Sequence, residues 1–324
     1  MIEGIPRISV RVITYKQEVL IKRAINSLLS QKDYIYEICV TDDCSPDGTW
    51  DVLQQYSKDY PGLFKLNRNE HNLGIFENIE KSWSMVSGDL VFGIAGDDEA
   101  GEGWLKSIVD FIQENNIDYK NEAICIYGDF KAVYPNGDNI IITNRFVKNQ
   151  TIDLFSLAIR HIIYNRSACS SIKVKEQFIK VSQGRSHIAE EILDRQLQII
   201  SKKNYYISHI GNIYHVGIGV SAKMDGKQID VKTHNERQEL AEYTIRKAAE
   251  LGYKVREKDK NYLYFTRALF QARYTHKISD FYKAFVFYIK SYDSRIGLKG
   301  LRFKRIVFAL RRRLPHTKPI TMTV

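Results

Sequence analysis

No apolar run in the 324 residues approaches the roughly 20 that cross a bilayer, so no membrane span is expected. The first residues lack a basic stretch followed by an apolar one, and no signal peptide is expected either. Cysteine is scarce and unpatterned. Cys39, Cys44, Cys125 and Cys169 form no CxxC pair, and Cys39 and Cys125 lie in apolar runs, which reads as buried free thiols in a reducing compartment. Internal repeats and low-complexity tracts are absent. Hydrophobic and charged contents of 44% and 27% exclude collagen-like and wholly disordered chains. The expectation is a cytoplasmic protein, at most peripheral to the inner face of the plasma membrane.

Acidic residues also run out in one place. From Arg295 to Arg313 there are basic residues and no acidic ones, so much of the net charge of +10 is local to that segment. Within Leu298 to Leu314, the apolar Leu301, Phe303, Ile306, Val307, Leu310 and Leu314 alternate with Arg302, Lys304, Arg305, Arg311, Arg312 and Arg313. That is a basic amphipathic helix. It fits an anionic membrane interface, or packing on the rest of the chain with its basic face in water.

What is present is an alternation. Apolar runs at Ile8–Thr14, Glu37–Thr41, Phe64–Asn67 and Leu90–Ala95 read as strands. Between and after them, helical spacing runs over Glu18–Ser30, Thr49–Tyr60, Ile75–Val86 and Glu102–Glu114. The order β-α-β-α-β-α-β-α predicts a Rossmann-like, mostly parallel α/β sheet with helices on both faces. Downstream, strands are expected at Ala123–Val133 and Ile140–Thr143, flanking the turn Pro135-Asn136-Gly137-Asp138. Further expectations are a helix over Ile152–Ile162, a strand over Ala168–Lys173, a helix over Ala189–Ser201 and an extended Tyr205–Val216. Ser221–Val231 reads as a linker. The helices Glu236–Leu251, Lys260–Tyr274, Ser279–Tyr292 and Leu298–Leu314 would follow it as a C-terminal helical extension.

Parallel α/β sheets bind ligands beyond the carboxyl ends of their strands. Three such ends carry polar chemistry: Thr14 and Tyr15 after the first strand, Asp42, Asp43, Ser45, Asp47 and Gly48 after the second, and Asp97, Asp98 and Glu99 after the fourth. Each has a plain alternative. DDCSPDGT is what a turn closing onto a helix uses, and GDDE can be a helix-entry loop. Two adjacent carboxylates after an apolar strand repel each other, however, and a divalent cation relieves that repulsion.

The runs ISVRVITYKQEVLIKRAINSLLSQ, EICVTDDCSPDGTWDVLQQY, NEHNLGIFENIEKSW and GDLVFGIAGDDEAGEGWL, in this order and spacing over residues 7 to 115, resemble a family 2 glycosyltransferase. The similarity continues more weakly to about residue 220. It implies the GT-A fold and an inverting enzyme that moves a sugar from a nucleotide-sugar, a UDP-sugar as the commonest donor, to a hydroxyl acceptor in polysaccharide or glycan assembly. The implied partners are the donor and a glycan or lipid-linked acceptor, with no nucleic acid. The implied organisation is a GT-A catalytic domain over residues 1–220, with a donor half at 1–115 and an acceptor half at 116–220, followed by the helical region 221–324. By position, Thr14, Tyr15, Asp43, Asn72, Gly74, Asn78 and Asp97 match donor-binding residues. Asp98 matches the ligand of Mg²⁺ or Mn²⁺, and Glu191, in AEEILD, matches the general base, ahead of Glu190 and Asp194. Lys16 stands where the family has Asn, Ile13 where it often has Pro, and the leading acid of a DxD motif is absent. His215 is either a packed histidine or a diphosphate or metal contact. A non-catalytic nucleotide-sugar-binding homologue and a basic membrane- or nucleic-acid-binding module are the alternatives. A pyrophosphorylase would need a Gly-rich loop after the first strand, and residues 14–18 contain no glycine.

Overall fold

The computed structural model describes residues 5–142, 167–177, 197, 200, 201, 203–218, 231–252, 254–275 and 277–292. Several expected features lie outside the described residues: the helix Ile152–Ile162, most of the helix Ala189–Ser201 with Glu190, Glu191 and Asp194, the linker up to its last residue Val231, which is already helical, and the basic helix Leu298–Leu314. The chain divides into two compact units. One comprises Met1–Ile152 and Tyr164–Thr233, the other Asp153–Ile163 and His234–Val324.

In the first unit the elements run β1 (Ile8–Thr14), α1 (Leu20–Leu29), β2 (Ile35–Asp42), α2 (Thr49–Asp59), β3 (Phe64–Arg68), α3 (Ile75–Met85) and β4 (Leu90–Ala95). They continue with β5 (Glu99–Ala100), α4 (Trp104–Glu114), β6 (Ile124–Val133), β7 (Asn139–Ile142), β8 (Cys169–Ser171) and β9 (Lys203–His215). Among the described residues these strands form one sheet in the order β3-β2-β1-β4-β8-β6-β9-β5, with β7 paired to β6. β1 is parallel to both β2 and β4, and β2 to β3. β8 runs antiparallel to both β4 and β6, so β6 again points the same way as β4. β9 is parallel to β6. The carboxyl ends of β1, β2, β3, β4, β6 and β9 therefore all open at one edge of the sheet.

Alternation along the strands builds two layers. Val10, Val12, Ile38, Val40, Leu90, Phe92 and Ile94 point to one face and meet Ile21, Ala24, Ile25 and Leu28 of α1, Leu53 of α2 and Trp104, Leu105 and Ile108 of α4. Cys39 and Val91 point to the other face, against Ile79 and Trp83 of α3 with Val174, Leu197 and Ile200. The indole of Trp104 is fully buried. It lies against Gly128 and Gly211, where an added Cβ would come within 2.8 Å of the ring, so the small residues of β6 and β9 make room for α4.

Differences from the sequence reading are local. α1 begins at Leu20 rather than Glu18, because the α2 loop caps its entry: Gln17 N–H donates to Thr49 Oγ1 (2.9 Å) and Glu18 N–H to Asp47 Oδ2 (3.3 Å). Glu18 Oε2 in turn accepts from Gly48 N–H (3.1 Å), so the two helix starts cap each other. α4 begins at Trp104, since Gly103 before it takes φ 68°. Only Cys169–Ser171 of the expected strand Ala168–Lys173 is extended, and Ile172–Gln177 turns into 3₁₀ helix. β5, two residues long, has no readable period. The helices α5 (Val231–Glu250), α6 (Glu257–Thr275) and α7 (Ile278–Lys290) follow, all in the second unit but for the first three residues of α5. Phe265 of α6 packs on Tyr288 of α7 with ring centroids 5.4 Å apart.

At the amino edge of the sheet a buried carboxylate ties three segments together. Glu37 Oε1 accepts from Ser9 Oγ (2.6 Å) and Ser87 N–H (2.6 Å), and Glu37 Oε2 pairs with Lys65 Nζ (2.5 Å). Burial alone would raise its pKa. The bonds from Lys65, Ser9 and Ser87 together outweigh that and hold it below its ordinary value. A depressed carboxylate stabilises the fold above its unfolded pKa and loses that contribution as pH falls through the folded value. Glu37→Gln is expected to cost about 1–3 kcal/mol at neutral pH. Urea unfolding at stepped pH should show the gap between wild type and variant closing only in the acid range below the ordinary carboxylate pKa.

Candidate functional site

The site is built from loops at the carboxyl edge. Asp42, the last residue of β2, is fully buried. Its carboxylate accepts from Ser45 N–H (3.2 Å) and from Ser45 Oγ, and Arg68 Nε of β3 lies 3.5 Å away. Burial pushes this carboxyl up, against the pull of Ser45 and Arg68. Asp42 thus shapes the loop, and Ser45 Oγ also accepts from Lys16 N–H (2.9 Å), tying the β1 loop to the β2 loop.

Asp43 reaches further. Its N–H donates to Thr14 O of β1 (3.0 Å). Its carboxylate accepts from Leu73 N–H (2.8 Å), Gly74 N–H (2.9 Å) and Asn69 Nδ2 (2.9 Å). Gly74 stands at φ 89°, which only glycine adopts without strain, directly before α3. An anion facing amides at a helix start is favoured by the exposed donors and the helix dipole. Asn72 Nδ2 approaches Asp43 O at 3.5 Å. Asn78 is buried and uses its side chain internally: Nδ2 donates to Thr41 O (3.3 Å) and Oδ1 accepts from Asn69 (3.0 Å). The residues Thr14, Asp43, Asn72, Gly74 and Asn78 therefore share one hydrogen-bonded network. Tyr15 stands beside it, 39% exposed, with Lys16 Nζ 5.2 Å from its ring centroid.

The β4 turn is set against the same β1 end. Gly96 N–H donates to Ile13 O (2.9 Å). A Cβ on Gly96 would lie 2.4 Å from Gln17 Oε1 and 3.0 Å from Thr14 Oγ1, so this position has room only for glycine unless Gln17 moves. Gln17 Oε1 accepts from Thr14 Oγ1 (2.7 Å). Asp97 is half-buried and Asp98 buried. Arg23 of α1 donates to Asp97 O (2.8 Å) and lies 3.3 Å from Glu99 Oε1, which also meets His215 Nε2 at 2.7 Å. His215 thus contacts the carboxylate next to the Asp pair. Gln17, Arg23, Arg68 and Asn69 shape the site without carrying a sequence signal, because each acts through a partner distant in the chain, whereas Ser45 and Glu99 stand among the strand-end residues that the sequence marks.

Among the described residues no three His, Cys, Asp or Glu gather into a group that encloses an ion. Asp97 and Asp98 fit Mg²⁺ or Mn²⁺ in the mode that takes one or two protein carboxylates and draws the remaining ligands from phosphate oxygens and water.

Asp43→Asn keeps the shape of the side chain but turns one acceptor oxygen into a donor facing other donors. It is expected to destabilise the protein by about 1–3 kcal/mol. Amide exchange at residues 69–74 should accelerate, while β1 and β4 keep their protection. Unchanged exchange there would remove Asp43 as the anchor of that loop.

Residues 9–173, just over half of the 324, match the family described as glycosyl transferase family 2. An uncharacterized glycosyltransferase of Haemophilus influenzae is 31% identical over 114 residues, 35% of this chain and 35% of that protein. The GalNAc(5)-diNAcBac-PP-undecaprenol beta-1,3-glucosyltransferase of Campylobacter jejuni is 34% identical over 110 residues, 34% of this chain and 35% of that protein. The chain thus spans about a third of the length of these curated relatives. Residues 1–349 of S. aureus TarS, solved in complex with UDP-GlcNAc, superimpose with a TM-score of 0.64 at 17% identity, over 94% of this chain and 87% of that one. That likeness gives the fold, a curled, mostly parallel sheet of the GT-A glycosyltransferase type. With the sheet order, the strand-end acids and the family match in agreement, the chain belongs to glycosyl transferase family 2.

Proposed function

We propose that the chain is an inverting glycosyltransferase that moves a sugar from a UDP-sugar to a hydroxyl of a glycan or lipid-linked acceptor, in polysaccharide or glycan assembly. The observation that carries this reading is the convergence of Thr14, Asp43 and the Asp97–Asp98 turn at one edge of a parallel sheet. UDP is favoured because TarS was solved with UDP and with UDP-GlcNAc. A lipid-linked acceptor is favoured by the undecaprenol-linked substrate in the name of the Campylobacter relative.

In this reading residues 1–115 bind the donor, 116–220 the acceptor, and the helical region 221–324 follows. Tyr15 offers an exposed ring to the base. Asp43 uses three of roughly four acceptor positions on the loop after β3, which leaves one for a donor N–H or O–H of the nucleotide. Asn72, Gly74 and Asn78 form the wall beside it, with Thr14 beneath. Asp98, with Asp97, would hold Mg²⁺ or Mn²⁺, which supplies Lewis-acid stabilisation of the leaving diphosphate. Arg23 holds Asp97 by its carbonyl and Glu99 by its carboxylate, keeping the turn in place. Glu191 takes the proton of the acceptor hydroxyl as general base. One in-line displacement then inverts the anomeric centre. The basic segment 298–314 brings the protein to the inner face of the plasma membrane, where a lipid-linked acceptor resides. Among the described residues no helix is long and apolar enough to cross a membrane.

Calorimetry with UDP, GDP, dTDP and CMP, with and without Mn²⁺, tests the donor site. UDP should bind in a metal-dependent way, and Asp98→Ala should weaken it about ten-fold or more. Absence of binding by any nucleotide removes the transferase reading. Glu191→Gln should keep UDP binding and lose about 10²–10⁴-fold in turnover. Turnover near that of wild type would take the base role away from Glu191.

A further inference from the structure

α7 has two faces that do not match. Its inner side buries Ala284 and Tyr288, the latter against Phe265 of α6. Its outer side carries a line of large apolar residues in water: Ile278 (87% exposed), Tyr282 (68%), Phe285 (50%), Ile289 (56%) and, just past the helix end, Tyr292 (49%). They recur at alternating steps of four and three and so share one stripe. Isolated exposed apolar residues need no explanation, but a contiguous helical stripe of this kind marks an interaction surface.

Charge selects the partner. Lys277, Lys283 and Lys290 are exposed, and Asp280, the one acid in the sequence of α7, is half-buried. Lys283 and Lys290, seven residues apart, share one flank of the helix, about a third of a turn round from the middle of the apolar stripe. The sequence that follows from Arg295 to Arg313 adds more basic residues and no acid. A second copy of this helix would bring three lysines with a single carboxylate, the half-buried Asp280, to set against them. An anionic surface is complementary to all of them. At 13 residues, α7 is too short to span a bilayer. A helix with an apolar stripe and a basic flank lies in the plane of the interface, its apolar side chains at the boundary between headgroups and acyl chains.

We propose that the Ile278–Tyr292 face of α7 docks onto an anionic membrane surface. This rests on the peripheral-membrane part of the proposed function but not on the sugar chemistry, and it places a contact on α7 itself, apart from segment 298–314.

The test is flotation of the full chain with vesicles of phosphatidylcholine alone and of phosphatidylcholine mixed with phosphatidylglycerol. Wild type should float with the mixed vesicles and not with the neutral ones. Phe285→Glu/Ile289→Glu should weaken that partition about ten-fold or more, and Lys283→Glu/Lys290→Glu about ten-fold. All four positions lie outside the buried side of α7, so circular dichroism and calorimetric UDP binding should stay at wild-type values, which keeps this result separate from the transferase reading. Phe285→Trp should show a blue-shifted emission on mixed vesicles, beyond any change in wild type. If Phe285→Glu/Ile289→Glu floats like wild type while Arg311→Glu/Arg312→Glu/Arg313→Glu does not, the basic segment alone binds and the α7 proposal fails. If wild type does not float at all, both membrane contacts fail. A wild-type dimer in sedimentation that Phe285→Glu/Ile289→Glu converts to monomer, without vesicle binding, would assign the stripe to a second copy instead.

Discussion

A buried carboxylate needs donors, and the way Asp43 obtains them organises the site edge. The residue follows β2, among parallel strands whose carboxyl ends open together, where backbone groups have no further strand to pair with. Asp43 answers this on both sides. Its amide closes onto β1 at Thr14 O, and its carboxylate gathers Asn69, Leu73 and Gly74 from the loop after β3. One residue, through its amide and its carboxylate, therefore sets the relative position of three connections. The positive φ of Gly74 follows from the same demand, since the amide has to turn toward the carboxylate just where α3 begins.

The β4 turn is constrained by packing as much as by polarity. Gly96 admits Gln17, Gln17 holds Thr14, and the start of α1 is itself capped from the α2 loop. Arg23 then reaches from α1 to the carbonyl of Asp97 and the carboxylate of Glu99. The Asp pair is in this way fastened to β1 and α1 through groups that are not themselves acids. His215, at the end of β9, closes the far side through Glu99. The short β5–β9 pairing, Glu99 with Ile213 and Ala100 with Asn212, brings that histidine into reach.

The sequence made some of this legible and hid the rest for a physical reason. Parallel strands buried on both faces are continuous apolar runs, and amphipathic helices repeat their period over several turns, so β1 to β4 and α1 to α4 stand out. Loop acids at strand ends stand out as well, because they interrupt those runs. What stays hidden is pairing between distant positions. Nothing in a string such as LVFGIA announces that β8 inserts antiparallel between β4 and β6, or that two residues after Asp98 form a strand against β9. The roles of Arg23, Asn69 and Glu99 are hidden for the same cause, since each depends on a partner that only the folded chain brings close. The exposed stripe of α7 is a further case. Its apolar spacing does not say which side is covered, and only the packing of Ala284 and Tyr288 on the other side shows that the stripe faces outward.

Charge near the site bears on the need for a metal. A diphosphate leaving group develops negative charge, and two of the cations close to the strand ends are already engaged. Arg68 lies by Asp42 and donates to Ser45 O, while Arg23 lies by Glu99 and donates to Asp97 O. Moving either toward a phosphate would expose a carboxylate to the same negative field and release the loop it holds. Lys16 is exposed over Tyr15, at the base-binding end of the proposed site rather than at the Asp pair. In the proposed reading, the carboxylates of Asp97 and Asp98 at the β4 turn would repel a diphosphate unless a divalent cation were bound with it. On the proposed function the acids that mark this edge would accept an anionic donor together with a divalent ion, a role that the net positive charge of the chain, concentrated far along the sequence, does not fill.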